Sequence, residues 1–194
     1  YYKGGKGDEI ADFSKNYQVG TSVIKSTSVF FYNPTASQTG YQRALNADTE
    51  SSMATSLSYK DAKAVNDSSV FYGAGNTITD LVQLTSETHY YGTVKGEEIA
   101  DYAYNYSTKK NALGTSYIDS IAKTTSVYYY ANQLRANNGA TSEDAMTSSK
   151  TFKTLGITTI ADVDQAVITP NLMSVTYYKG GKGDEIADFS KNYQ

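Results

Sequence analysis

With 194 residues, 17 basic against 20 acidic side chains and a formal charge of −3, the chain lacks the positive field that phosphate-backbone binding needs, so no nucleic acid partner is expected. It contains no cysteine, which removes disulfides and thiolate metal sites, and no apolar run approaches the roughly 18–20 residues of a membrane-spanning helix, so no membrane insertion is expected either. What it has in abundance is tyrosine, 19 residues against no tryptophan, a side chain that offers large contact area at low entropic cost with a hydroxyl that tolerates water.

The chain opens on YYKGGKGDEIADFSKNYQ, Tyr1 to Gln18, and the same eighteen residues recur as Tyr177 to Gln194. Between them, YYGTVKGEEIADYAYNYS, Tyr90 to Ser107, keeps ten of the eighteen letters. Further matches follow in order. Gly20-Thr21-Ser22-Val23-Ile24 answers Gly114-Thr115-Ser116-Tyr117-Ile118, and Ser28-Val29-Phe30-Phe31-Tyr32 answers Ser126-Val127-Tyr128-Tyr129-Tyr130. Such self-similarity predicts a tandem repeat: unit A over 1–89, unit B over 90–176, and the start of a next repeat over 177–194. Because the chain opens inside a repeated stretch, further residues are expected to precede Tyr1 in the natural protein, and the two identical end copies are expected to sit in unequal environments.

Taken in chain order, the apolar spacing predicts a mainly α fold of two diverged helical units of about 88 residues with short extended Tyr-rich junctions. Ile10, Phe13 and Tyr17 repeat at helical intervals, as do Ile99, Tyr102, Ala103 and Tyr106. Acidic pairs after a glycine, Asp8-Glu9 and Glu97-Glu98, suit a first helical turn. Asp48 to Val65 forms a further candidate in the first half. Ser116 to about Arg135, ended by Gly139, is another, followed by Ser142 to Gly156 and Thr159 to Val167. The alternative is an α+β or largely β repeat, in which SVFFY at Ser28, SVFY at Ser69, SVYYY at Ser126 and SVTYY at Ser174 are strands by their β-branched and aromatic content.

Chemistry is sparse. GGKGDEI, Gly4 to Ile10, invites comparison with the glycine-aspartate nonapeptides of calcium-binding β-rolls, but Glu9 stands where that pattern has aspartate and no second turn follows in tandem. Calcium is the one cofactor considered, with Asp8, Glu9 and Asp12 as its candidate oxygen ligands. The spacing of a phosphate loop is absent. His89 is the only histidine, and it lies at the seam between units, where it reads as a surface residue. No catalytic constellation is found, and no enzyme is expected. Two glycosylation sequons occur, at Asn66 and Asn105.

The aromatic clusters read as contact surfaces between units: Tyr1, Tyr2, Phe30, Phe31, Tyr32, Tyr90, Tyr91, Tyr128, Tyr129, Tyr130, Tyr177 and Tyr178. The expected function is a structural or scaffold module of a larger tandem-repeat protein, such as a fibre, an adhesin stalk, a surface array or a linker, placed outside the cell or on its surface. Its partners would be neighbouring copies of the repeat or other protein subunits. The alternative is a repeat that binds calcium, a glycan or a pigment through acidic and aromatic junction residues.

Overall fold

Strands fill the chain in the computed structural model, which describes residues 1–153 and 171–193. In order they are β1 (Tyr2–Lys3), β2 (Ile10–Ala11), β3 (Phe13–Tyr17), β4 (Ile24–Tyr32), β5 (Gln42–Arg43), β6 (Met53–Lys60), β7 (Leu84–Tyr91), β8 (Ile99–Lys110), β9 (Tyr117–Tyr130), β10 (Met146–Lys153), β11 (Leu172–Lys179) and β12 (Ile186–Asn192). One antiparallel sheet of ten strands runs β3-β4-β6-β7-β8-β9-β10-β11-β12, with the short β5 added on the edge of β4. Each long strand therefore pairs with the next in sequence, a meander. β1 and β2 form a separate two-stranded ribbon at the start.

The sheet follows from side-chain alternation, since successive residues of a strand face opposite sides. In β4, Thr27, Val29 and Phe31 are buried at 0–2% exposure, while Ser26, Ser28 and Phe30 between them are only half-buried. Register carries the same division across the neighbours: Val29 lies opposite Leu57 and Thr27 opposite Tyr59. Onto this inner face the connection between β6 and β7 folds Phe71, Tyr72, Ile78 and Leu81, completing a core with Phe13, Val29, Phe31, Leu57, Tyr59 and Leu84. A smaller cluster, Val127 and Phe152, forms under the second half.

The opposite face is a ladder of small polar side chains. Ser14, Ser28, Ser58 and Ser86 stand directly opposite one another on successive strands, and the row continues through Asn105 to Thr124. Asn105 Nδ2 donates to Thr124 Oγ1 at 3.2 Å and to Ser126 Oγ at 3.0 Å, and the Ser28 and Ser58 hydroxyls lie 3.4 Å apart. Such cross-strand hydroxyl and amide pairs are a unit of sheet stabilisation.

The mainly α expectation is thus overturned; among the described residues only three three-residue 3₁₀ turns and Asn171 are helical. Ile10 to Tyr17 is β2 and β3, and Asp48 to Val65 contains β6. Ser116 to Arg135 is β9 followed by a 3₁₀ turn, and the described part of Ser142 to Gly156 contains β10. Thr159 to Val167 lies outside the described residues. The physical reason is visible in β8. Its operative pattern is Tyr102, Tyr104, Tyr106, every second residue on the inner face, with Ala103 and Asn105 on the other. Counting Ala103 as apolar and passing over Tyr104 makes a period of two resemble a helical one. Of the four clusters considered as strands, those at Ser28, Ser126 and Ser174 lie in β4, β9 and β11, whereas Ser69 to Tyr72 is a connection with one isolated bridge, Tyr72 to Ile78.

Candidate functional site: the repeated hairpin junction

The most elaborate geometry in the molecule recurs with each copy of the opening stretch. Its first component is a stacked cross-strand ring pair. Tyr1 stacks on Phe13 with centroids 4.0 Å apart, His89 on Tyr102 at 4.4 Å, and Tyr177 on Phe189 at 4.7 Å. Lys15 and Lys191 place their ammonium groups 5.6–6.0 Å from the rings of the outer two pairs, within cation–π range. In the middle copy Tyr104 stands in the lysine's place and meets both rings edge-on.

The second component is the turn. Gly4, Gly92 and Gly180 all have positive φ, at 116°, 148° and 126°. A Cβ on Gly4 or Gly180 would strike the carbonyl oxygen of Asp8 or Asp184, and one on Gly92 would lie 2.9 Å from Glu98 Cα, so no side chain fits there. Closing each turn, a glutamate accepts a backbone N–H: Gly7 to Glu9 at 2.9 Å, Gly96 to Glu98 at 2.8 Å, Gly183 to Glu185 at 2.9 Å. The other oxygen of the later two carboxylates reaches a strand start two places back in the sheet, accepting from Met53 N–H at 2.7 Å for Glu98 and from Met146 N–H at 3.1 Å for Glu185. These bonds hold the Glu185 carboxyl below the usual carboxylate range, its own backbone N–H first, then Met146 and Gly183.

The third component is a forked ion pair. Arg43 donates from Nε to Asp12 Oδ1 at 3.1 Å and from Nη2 to Oδ2 at 2.5 Å; Arg135 does the same to Asp101 at 3.0 and 2.5 Å. Both aspartates are buried, at 1% and 4% exposure, and bidentate pairing is what makes a buried carboxylate tolerable. Beside each pair a tyrosine hydroxyl donates to a strand carbonyl at 2.6 Å, Tyr32 to Ala11 and Tyr130 to Ala100. Burial, then the nearby carboxylates Glu98 and Asp12, push the Tyr32 hydroxyl up to about 12.

These geometries correct the sequence alignment by one residue. Letters alone set Tyr90-Tyr91 against Tyr1-Tyr2, but the stacking and the turn glycines equate His89 with Tyr1 and Tyr177, and Gly92 with Gly4 and Gly180. The middle copy has not lost its turn glycine. It carries one more residue inside the turn, seven steps from Gly92 to Ile99 against six from Gly4 to Ile10. Tyr90 and Tyr178 then correspond, their hydroxyls 3.3 and 3.2 Å from Ser56 and Ser149. His89 is accordingly no loose surface residue: it is a half-buried member of a stack, with Nε2 3.1 Å from the buried Glu87 carboxylate, which also accepts from Tyr72 at 2.8 Å.

The candidate calcium ligands do not converge. Asp8 is exposed on the turn, Glu9 folds back onto Gly7, and Asp12 is engaged by Arg43; among the described residues no group of three acidic or histidine side chains is gathered for a metal. The aromatic contact candidates divide. Phe31, Tyr32 and Tyr130 are core, at 2%, 4% and 7% exposure, and Phe30, Tyr90, Tyr128, Tyr129, Tyr177 and Tyr178 are half-buried, while Tyr1, Tyr2 and Tyr91 are exposed. Of the sequons, Asn66 sits in an exposed turn bonded to Ser68, and Asn105 lies in the polar ladder of the sheet. Sequence reasoning missed Arg43, Arg135 and Glu185, and set Glu98 in a first helical turn where it closes a hairpin. The signal was present in that the two arginines of the chain follow Asp12 and Asp101 by 31 and 34 residues.

The end copies do differ, in two opposite senses. Tyr1 and Tyr2 are more exposed than Tyr177 and Tyr178, because β10 flanks the later pair. Yet Ile10, Asp12 and Phe13 are buried while their counterparts Ile186, Asp188 and Phe189 are exposed, because β4 and Arg43 cover the first copy only. Comparison with protein-family models, with curated proteins and with solved structures finds no match to this chain.

Proposed function

We propose that the chain is a structural repeat module whose task is to extend a continuous antiparallel sheet, unit upon unit, in a fibre, stalk or surface array outside the cell. The observation that carries this reading is the recurrence of stacked rings, a glycine turn and a glutamate that closes it in all three copies of the stretch, with an arginine-forked aspartate in the first two. A unit built this way presents at its far edge the same strand that it accepts at its near edge, the condition for a quasi-one-dimensional array. The partners are further copies of the unit. No catalytic role is assigned: the one histidine is stacked on Tyr102, and the buried acids Asp12 and Asp101 are held by arginines.

The test is a chain in which residues 1–176 are joined in frame to residues 1–194. In an array, neighbouring units stabilise one another, so the lengthened chain should unfold in urea at a higher midpoint than the single period and in a shared transition. Two periods that unfold independently, each at the midpoint of the single chain, would contradict the reading.

A further inference from the structure

We infer that separate copies of this chain join head to tail by strand exchange, the hairpin ending in β12 of one copy replacing residues 1–18 of the next. This rests on the sheet-extending reading above and supplies its intermolecular form.

Four observations converge. First, residues 177–194 and 1–18 are identical, so every contact that β3 makes with β4 is available to β12: Phe189 opposite Val29, Ser190 opposite Ser28, Lys191 opposite Thr27 and Asn192 opposite Ser26 of the second copy, as Phe13 to Asn16 are now. Second, among the described residues β12 is exposed along its whole length and pairs on one side only, with β11; a strand edge of this kind is a template for another chain. Third, the chain has two arginines, Arg43 and Arg135, committed to Asp12 and Asp101, whereas among the described residues the third aspartate of the series, Asp188, is paired with the exposed Lys179 at 2.9 Å and with no arginine. Arg43 of a second copy is the group its position fits. Fourth, the two hairpins differ in their internal pairing: β1 and β2 share two residue pairs, while β11 and β12 share six, so β12 arrives already ordered, with Tyr177 and Phe189 stacked as Tyr1 and Phe13 are.

Exchange conserves the pairing at β4 and exposes residues 1–18 of the acceptor, so nothing new is bonded except by identity. Swapping identical elements is a low-cost route to assembly. Because donor and acceptor surfaces lie at opposite ends of the sheet, the contact is heterologous and grows open chains rather than closed pairs.

The experiment uses the full 194-residue chain and two variants, followed by sedimentation and native mass spectrometry over a hundredfold range of concentration. Asp12→Ala deprives Arg43 of its own carboxylate and leaves only a neighbour's Asp188 to fill it. Asp12→Ala should therefore shift the chain into a ladder of oligomers, and Asp12→Ala/Asp188→Ala should return it to monomer. A folded Asp12→Ala chain that stays monomeric, or a double variant that oligomerises equally, overturns the inference. Should Asp12→Ala fail to fold, a labelled synthetic peptide of residues 177–194 decides on the wild-type chain. Uptake of one peptide per chain, weakened at least tenfold when its aspartate at 188 is alanine, supports exchange; no uptake overturns it. If the two-period chain gains stability while separate chains stay monomeric and take up no peptide, exchange fails and the array reading stands.

Discussion

At the scale of single residues, two identical aspartates in unequal places separate the cost of burial from the value of a salt bridge. Asp101 sits at 4% exposure in a fork of Arg135, while Asp188, its counterpart in the last copy, is solvated beside Lys179. Removing one partner of a buried pair leaves the other charge uncompensated, a loss of about 3–5 kcal/mol, whereas an exposed pair contributes about 0–1 kcal/mol. Asp101→Ala should therefore cost about 3–5 kcal/mol in urea unfolding and Asp188→Ala less than about 1 kcal/mol on the isolated monomer. Equal losses would show that Arg135 is not dependent on Asp101.

At the scale of the element, the junction hairpin is governed by one glycine rather than by its glycine-rich look. Gly4 has φ 116° and would drive a Cβ into the Asp8 carbonyl, while Gly5 beside it has no atom within 4 Å of a built Cβ and no positive φ. Gly4→Ala should destabilise by more than about 1 kcal/mol, since the native φ is closed to alanine, and Gly5→Ala should stay within about 0.5 kcal/mol; thermal unfolding of the two variants checks both. This is also where the sequence was legible in part. Three copies of a turn, each with an acidic pair behind a glycine, could be read from the letters, and each joins two antiparallel strands rather than opening a helix. Their glutamates could not be assigned: Glu98 and Glu185 do not face a helix dipole but reach Met53 and Met146, 45 and 39 residues away. Nor could letters show that the middle turn is longer by one residue, because Tyr90-Tyr91 matches Tyr1-Tyr2 better than His89-Tyr90 does. Only the stacked rings fix that register.

At the scale of the whole molecule, the recurring stretch was plain in the letters and the secondary structure was not, for a physical reason specific to this composition. A half-buried strand normally announces itself by apolar and polar alternation. Here the outer row is Ser, Thr, Asn and Ala, and the inner row mixes Tyr with Thr, Lys and Glu, as in Glu87, Tyr104 and Thr125 on neighbouring strands. Hydrophobicity then alternates weakly, and bulges such as those at His89/Tyr90 and Asn105/Tyr106 shift the phase within a single strand. What remains for the eye is the spacing of the largest side chains, which at Ile99, Tyr102 and Tyr106 imitates a helix. Serine and threonine recur at those outer positions because small hydroxyls can pair across neighbouring strands, a constraint set by the sheet and invisible from any one segment.

The central claim is that each period lengthens one sheet. Eight strand-to-strand steps lead from Phe13 in β3 to its counterpart Phe189 in β12, counting β4 and β6 to β12, and at about 4.8 Å per strand they add roughly 38 Å to the sheet. Small-angle scattering from the chain of two joined periods measures this directly. The account predicts a rigid particle whose maximum dimension exceeds that of the 194-residue chain by about 30–40 Å, with the scattering of one continuous body. Two compact bodies joined by a flexible link, with the pair-distance profile of separate domains, would contradict it.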